Sequence, residues 1–393
     1  MRDPDPLSPE MRVLHVVATA TRRGGEMFAA DLVGALAERG IEQRVSILRR
    51  GPHLIDFDSP VDDVGSRWRL PGLRVDAAAL HRLRSIVRSW SPSVIQAHGG
   101  EAFKHALAVA GKVPVVYRRL GAAPRWLRSG ARRAAYRGMA RRAAVIVAVA
   151  EAVRDETIEL YDLDPSHVVM IPNGIDLERL RPDAGRESVR GSLGLEPRHE
   201  VMLSVGALSW EKEPQGLLSV MASVCRARPD AVWLFAGDGP LREALSSSAD
   251  AVALGSRIRF LGARRDMGNL YAAGDVFVFG SRPDGMEGMP ACLIEAGAAG
   301  LPTVAYDVAG VSELVGRWTA GVLVPAGDRD ALEASVTRVL SESDRWAQEA
   351  ARFRERCRHR FDISGVADRY LSVYQQVIGE AVGGPASQTT AGV

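Results

Sequence analysis

Glu287-Gly-Met-Pro-Ala-Cys-Leu-Ile-Glu295 is the stretch from which the rest of the chain is read. Two carboxylates stand eight residues apart across an expected helix start, and an apolar, Gly-rich segment follows. A helix beginning near Pro290 puts that proline in the first turn, where its missing N–H costs nothing. The N–H groups of Ala291, Cys292 and Leu293 then point at any anion that docks there. At 1.5 Å rise per residue, that separation corresponds to roughly 12 Å of helix axis.

Outward from this stretch, short β-branched runs alternate with longer helical patterns in both directions. The first half predicts strands at 12–18, 44–48, 94–97, 113–117, 144–149 and 168–171. The second half predicts them at 201–205, 231–236, 257–261, 275–279, 303–305 and 322–324. Between them fall helical patterns such as Met27–Arg39, where Phe28, Leu32, Ala35 and Leu36 share one face. Strands alternating with helices give an α/β chain with parallel, doubly wound sheets. The pattern occurs twice, with a break at Pro172-Asn-Gly-Ile-Asp176 and the polar stretch Arg181–Glu200, where Asn-Gly is turn chemistry. The expected division is a tail over 1–10, a first Rossmann-like domain over 11–176 and a second over 177–360. A C-terminal helix over 361–380 packs back toward the first domain, and a disordered tail covers 383–393. Ligands of two such domains bind in the cleft at the carboxyl ends of their strands.

A chain of 393 residues is too long for one ordinary core, which agrees with two domains. No run of eighteen apolar residues is present to span a bilayer, and Met1–Glu10 lacks the basic-then-apolar order of a secretory signal. Cys225, Cys292 and Cys357 are far apart and odd in number, which fits a reduced cytoplasm without disulfides. Net charge is only +2, but no acid occurs between Glu101 and Glu151, where eleven Lys/Arg fall. That half is expected to attract something anionic.

The loop Arg22-Arg23-Gly24-Gly25-Glu26 opens the first helix, and its paired glycines allow close approach of a phosphate. Two glycines alone equally describe an ordinary turn. The ordered set is more specific: Gly-Gly-Glu after the first strand, Ile171-Pro-Asn-Gly-Ile-Asp176, Val205-Gly-Ala-Leu-Ser-Trp-Glu-Lys212, Ala236-Gly-Asp-Gly-Pro240, and the Glu287/Glu295 pair. In this order, over roughly Met11 to Val377, the chain resembles a retaining glycosyltransferase of the GT-B fold, of the large family-4 type.

That resemblance implies a UDP- or GDP-sugar donor held mostly by the second domain and an acceptor held mostly by the first. Glu295 matches the family residue that binds the ribose hydroxyls, and Glu287 the one that touches the donor sugar near its reacting carbon. The 12 Å separation is about the reach from sugar to ribose across a diphosphate. Carboxylates suit both tasks because they accept from vicinal hydroxyls in charge-assisted bonds; either glutamate alone would be an ordinary solvated helix residue. Lys212 matches the diphosphate lysine, which neutralises the leaving group. Gly24, Gly25, Gly237, Leu261, Gly288, Met289 and Leu293 complete the donor-binding set.

Two positions depart from the family pattern. Ala207 stands where an arginine is usual, leaving Arg118, Arg119 or Arg282 as replacements. Arg118-Arg119 stands where many relatives carry a histidine, so His98, one strand earlier, is the nearest candidate for that place, and a catalytic role is expected of His98 and Arg118. A single strand-end histidine is more often structural. Arg119, Arg125, Arg128 and Arg132 are expected at an acceptor or an anionic membrane surface, with the last three on one helical face. The plain alternative is a solvated arginine-rich surface. Nucleic acid is not expected, because no platform of interleaved aromatics and cations appears.

The expected function is sugar transfer to a hydroxyl of a glycan, lipid-linked or small-molecule acceptor, in the cytoplasm or at the inner face of the membrane. No cofactor or metal is expected, since no Asp-x-Asp follows a strand in a metal-binding context. The alternatives are a nucleotide-sugar epimerase or isomerase on the same fold and a catalytically inactive binding subunit.

Overall fold

The computed structural model describes residues 11–49, 51, 55–65 and 76–383. The expected tail 1–10, the end of the expected tail beyond Gly383, and residues 66–75 of the first domain lie outside the described residues.

Seven strands form the first sheet: β1 (Arg12–Val17), β2 (Glu42–Ile47), β3 (Val61–Asp63), β4 (Val94–His98), β5 (Val115–Arg119), β6 (Val145–Ala148) and β7 (Val168–Met170), in the order β3-β2-β1-β4-β5-β6-β7. Six form the second: β8 (Glu200–Val205), β9 (Ala231–Ala236), β10 (Ile258–Gly262), β11 (Val276–Phe279), β12 (Thr303–Asp307) and β13 (Gly321–Pro325), in the order β10-β9-β8-β11-β12-β13. Every strand pairing is parallel. Helices cover both faces of such sheets, so central strands read as continuous apolar runs. All six residues of β9 and all four of β11 are buried accordingly. The protein is thus built from two doubly wound α/β domains. In each, the order reverses beside the first strand, between β1 and β4 and between β8 and β11, and ligands of such sheets bind outside these points.

β3 escapes the pattern because its three residues, Val-Asp-Asp, carry one apolar side chain on a sheet edge. It is held there by the Arg44–Asp62 ion pair at 2.5 Å. The first helix runs Gly24–Ala37 and starts earlier than its apolar face indicates, since both glycines are helical. The polar stretch read as a break contains the helix Arg186–Ser192, whose Arg186 and Arg190 bond Asp275.

The last helix, Ile363–Gly383, returns to the first sheet. Val366, Tyr370, Val373, Tyr374 and Val377, spaced for one helical face, pack with Phe28, Leu32, Val94 and Val116. Tyr374 Oη donates to Gln96 Oε1 at 2.9 Å. At about 1.5–3 kcal/mol per fully buried large apolar side chain, this face is a substantial stabilising contact. The two crossings between domains lie side by side: Ile175 N–H donates to Phe361 O and Ile363 N–H to Ile175 O. A Cβ at Gly174 would come within 2.9 Å of Ile363 Cα, which explains a glycine in this turn.

Candidate active site

The ends of β8 and β11 supply the centre of the cleft. Beyond β8 the chain makes a short 3-10 turn, Trp210–Lys212, and beyond β11 it runs through Ser281 to Glu287. Lys212 Nζ and Glu287 Oε1 form an ion pair, and Ser281 Oγ donates to the same oxygen at 2.6 Å. Lys212 Nζ also lies 5.1 Å from the Phe279 ring centroid. Glu213, next to Lys212, and Met286, next to Glu287, both have positive φ, at 45° and 58°. The other two described non-glycine residues of this kind, Ser91 and Asp162, merely end helices. Left-handed backbone in bulky residues costs on the order of 1–3 kcal/mol and gathers where a fixed side-chain geometry is needed.

Helix Ala291–Ala299 begins after an extended Pro290, which is the N-cap rather than a first-turn residue. Glu287 therefore stands in a loop, and the 12 Å helix-axis reading does not describe its separation from Glu295. The expectation for Leu293 is also corrected: its N–H already bonds Pro290 O at 3.2 Å, and its side chain is buried. Met289 is buried as well, and Gly288 lies against the first domain, where an added Cβ would meet Leu120 O at 2.0 Å. A bridge between Gly121 and Gly288 joins the two loops there.

Glu295 receives the Tyr271 hydroxyl at 2.7 Å. Burial raises its carboxyl above the usual range, opposed by that hydrogen bond and by the charges of Arg179 and Arg22. Arg22 belongs to the Gly24-Gly25 loop, so this loop of the first domain faces Glu295 of the second. Arg179 also grips Asp31 of the first helix through both oxygens. Burial pushes Asp31 up to about 6 despite that partner. On the far side, Gly237 has φ of 146° and a Cβ there would strike Gly206 O at 1.8 Å, so only glycine fits beside the β8 turn. Half-buried Leu261 precedes Gly262, whose carbonyl accepts from Gly237 N–H at 2.8 Å.

Several expected residues take other places. Arg118 is 1% exposed, lies over the Phe28 ring and donates to Asn173 Oδ1 at 2.5 Å. Asn173 Nδ2 in turn donates to Met289 O at 2.6 Å. Arg118 is thus corrected from a ligand of the reacting groups to one end of a bridge between the domains. His98 is buried, with Nε2 at 3.2 Å from His15 Nδ1, while His15 Nε2 lies 3.0 Å from Gln43 Oε1. Gln43 Nε2 donates to Val33 O, so its Oε1 accepts and the His15 proton sits on Nε2. His98 then donates to His15. Burial lowers both imidazoles, His15 to about 4, and both are neutral at pH 7. The expectation of a cleft-facing His98 is corrected to a buried relay beneath the end of β4.

Arg119, expected at a surface, is 4% exposed because Glu156 accepts from it at 2.6 Å. Arg125, Arg128 and Arg132 are exposed, but they do not share one helix. Arg125 lies in a 3-10 turn and the helix proper starts at Gly130, where φ is 69°. Arg128 also bonds Glu156, while Arg137 and Arg141 bond Asp162. Arg282 is exposed and paired with Asp284 at 3.0 Å, 5.8 Å from the Trp210 ring centroid.

Sequence reasoning missed Asn173, Ser281, Tyr271, Asp31 and Arg179 as site residues. Asn173 stands in turn chemistry, and the others carry no motif signal. Among the described residues no three His, Cys, Asp or Glu side chains gather as a metal-ligand set. The three cysteines are free thiols, and no described helix is long and apolar enough to cross a membrane.

Comparison with known proteins follows the same division. The family model Glycosyltransferase Family 4 matches residues 22–179, and Glycosyl transferases group 1 matches residues 185–360. The UDP-Gal:alpha-D-GlcNAc-diphosphoundecaprenol alpha-1,3-galactosyltransferase of Escherichia coli is 32% identical over 47% of this chain and 48% of its own length. The chain thus spans about half the length of that relative. The 2-deoxystreptamine N-acetyl-D-glucosaminyltransferase of Streptomyces fradiae is 28% identical over 89% of this chain and 90% of its own. Among solved structures, Anabaena Alr3699/HepE in complex with UDP and glucose superposes with a TM-score of 0.79 at 20% identity, over 93% of this chain and 99% of that one. WaaG, a glycosyltransferase involved in lipopolysaccharide biosynthesis, gives 0.72 at 17% identity, over 92% and 99%. These likenesses establish the two-domain GT-B fold. With both halves matched in order, the chain belongs to the group 1, family 4 type of glycosyltransferases.

Proposed function

We propose that this protein is a retaining glycosyltransferase that moves a sugar from a UDP- or GDP-sugar to an acceptor hydroxyl. The observation that carries the reading is the meeting of Lys212 and Glu287 at the switch point of the second sheet. A nucleotide sugar laid along this cleft would exchange that internal ion pair for its own groups. Lys212 would take the diphosphate as charge develops on the leaving oxygen, and Glu287 would accept from sugar hydroxyls. The helix start at Ala291 and the Gly24-Gly25 turn add N–H groups and a favourable field. Glu295, oriented by Tyr271, would accept from the ribose. Lys212 then does the charge neutralisation that a divalent cation does in other transferases.

Retention is assigned to attack from the face of the departing phosphate, whose oxygen receives the acceptor proton. Closure of the domains would exclude water and slow hydrolysis of the donor. Arg118 and His98 would position the floor of the cleft. The acceptor is proposed to be a glycan, lipid-linked or small molecule met on the cytoplasmic side, with Arg125 and Arg132 available to an anionic membrane. The test is incubation of the purified protein with UDP- and GDP-sugars and candidate acceptors. Release of nucleoside diphosphate with a product of unchanged anomeric configuration is expected. An altered sugar without released nucleotide would identify an epimerase, and donor binding without turnover on any acceptor would identify an inactive subunit.

A further inference from the structure

A second space opens beside the Lys212–Glu287 centre. It is a cavity of about 460 Å³ between the two domains, walled by Pro124, Arg125 and Arg128 on one side and Arg282, Asp284 and Met286 on the other. The first wall is the loop after β5, and the second is the loop joining β11 to Glu287. Met286 immediately precedes Glu287, and Ala122 N–H reaches Glu287 O at 3.4 Å. The cavity therefore shares a wall with the sugar end of the cleft.

Its charge is not balanced from within. Arg128 shares Glu156 with the buried Arg119, so two guanidiniums have one carboxylate between them. Asp284 pairs with Arg282 and lies near Arg125, while Glu213 acts on Arg282 from outside the lining. Among the lining residues three guanidiniums stand against one carboxylate, an excess of two positive charges around a space of substrate size. A neutral acceptor would leave that excess unanswered, whereas a phosphate offers three oxygens to guanidinium forks. Trp126 and Trp210, 44% and 51% exposed, stand next to these cations in sequence or in space.

Resting on the transferase reading above, we infer that the acceptor carries a phosphate or diphosphate ester, seated between Arg125, Arg128 and Arg282. Its accepting hydroxyl then points toward Glu287. The shared chemistry is the phosphate; the ester is either a free sugar phosphate or a lipid phosphate.

The test uses inorganic pyrophosphate and the full chain, with and without saturating UDP or GDP, read by calorimetry. One equivalent is expected to bind with nucleotide present, to be retained in Lys212→Ala, and to weaken at least roughly tenfold in R125A/R282A, about 1.4 kcal/mol. Both arginines are exposed, so the double variant should keep its melting temperature. Vesicles of phosphatidylcholine with and without phosphatidic acid separate the sources. Binding that depends on phosphatidic acid and on both arginines assigns the lipid ester, and binding of pyrophosphate alone assigns the free one. Absence of pyrophosphate binding at millimolar concentration would overturn the inference. So would binding unchanged in R125A/R282A, or binding lost in Lys212→Ala. Failure of both nucleotides to bind the wild-type protein would instead reject the transferase reading, independently of the arginine result.

Discussion

Replacing Asn173 by alanine should weaken the coupling of the two domains, because this side chain joins Arg118 of the first to Met289 of the second. The bond to a charged guanidinium contributes about 1.5–3 kcal/mol and the neutral bond to Met289 O about 1 kcal/mol. Arg118 is fully buried and its Nε already lacks a partner, so losing Asn173 Oδ1 leaves a second guanidinium donor unpaired. The combined loss is about 3–5 kcal/mol, which for a domain of this size lowers its melting temperature by roughly 6–20 °C. Scanning calorimetry reads this directly, resolving the two domains if they melt apart. Asn173→Asp separates the halves: its carboxylate still accepts from Arg118 but has no N–H for Met289 O. That variant should keep most of the melting temperature and lose nucleotide affinity, because Met289 leads into the helix start. An Asn173→Ala protein melting within roughly 2 °C of wild type would refute the bridge.

Glu287→Ala is expected to abolish sugar transfer while leaving nucleoside diphosphate affinity within a few-fold; near-normal turnover would reject its place at the sugar. Lys212→Ala should weaken both donor binding and turnover, and an unchanged response to donor concentration would remove it from the diphosphate. Asp31 gives a pH signature. Its folded-state value, about 6, lies above its ordinary value of 3.8. The folded protein thus takes up this proton before the unfolded chain does, and the carboxyl favours folding at low pH and loses that contribution as pH rises through 6. Against Asp31→Asn, wild type should gain about 2 kcal/mol on going from pH 7 to pH 4.5. Parallel denaturation midpoints for the two proteins across that range would exclude it.

The alternation of strands and helices was legible because parallel strands buried on both faces leave unbroken apolar runs, as in Ala231–Ala236 and Val276–Phe279. Gly237 and Gly288, expected as donor-binding residues, sit where a side chain would collide with carbonyl oxygen, a backbone approach that carries no signal in the sequence. Strand β3 was not, since three edge residues carry no periodicity. The site was half visible. Lys212 and Glu287 stood in motifs, but their direct contact joins residues far apart in the chain, which spacing cannot reveal. The Arg179–Asp31 pair and the Arg118–Asn173–Met289 chain are long-range in the same way. In the basic stretch, the acids that pair with Arg119, Arg128, Arg137 and Arg141 are Glu156 on the next helix and Asp162 at its end, where a local charge count does not reach.

Above all, nucleotide sugar is assigned to the groove between the β8 and β11 ends. Amide hydrogen exchange with and without UDP- or GDP-sugar measures it at the residues concerned. Slowed exchange is expected over 205–213, 237–241 and 286–296, with the Gly24-Gly25 turn following when the domains close, and Lys212→Ala should diminish all of it. Protection confined to other segments, or none with any nucleotide sugar, would contradict the assignment of this groove.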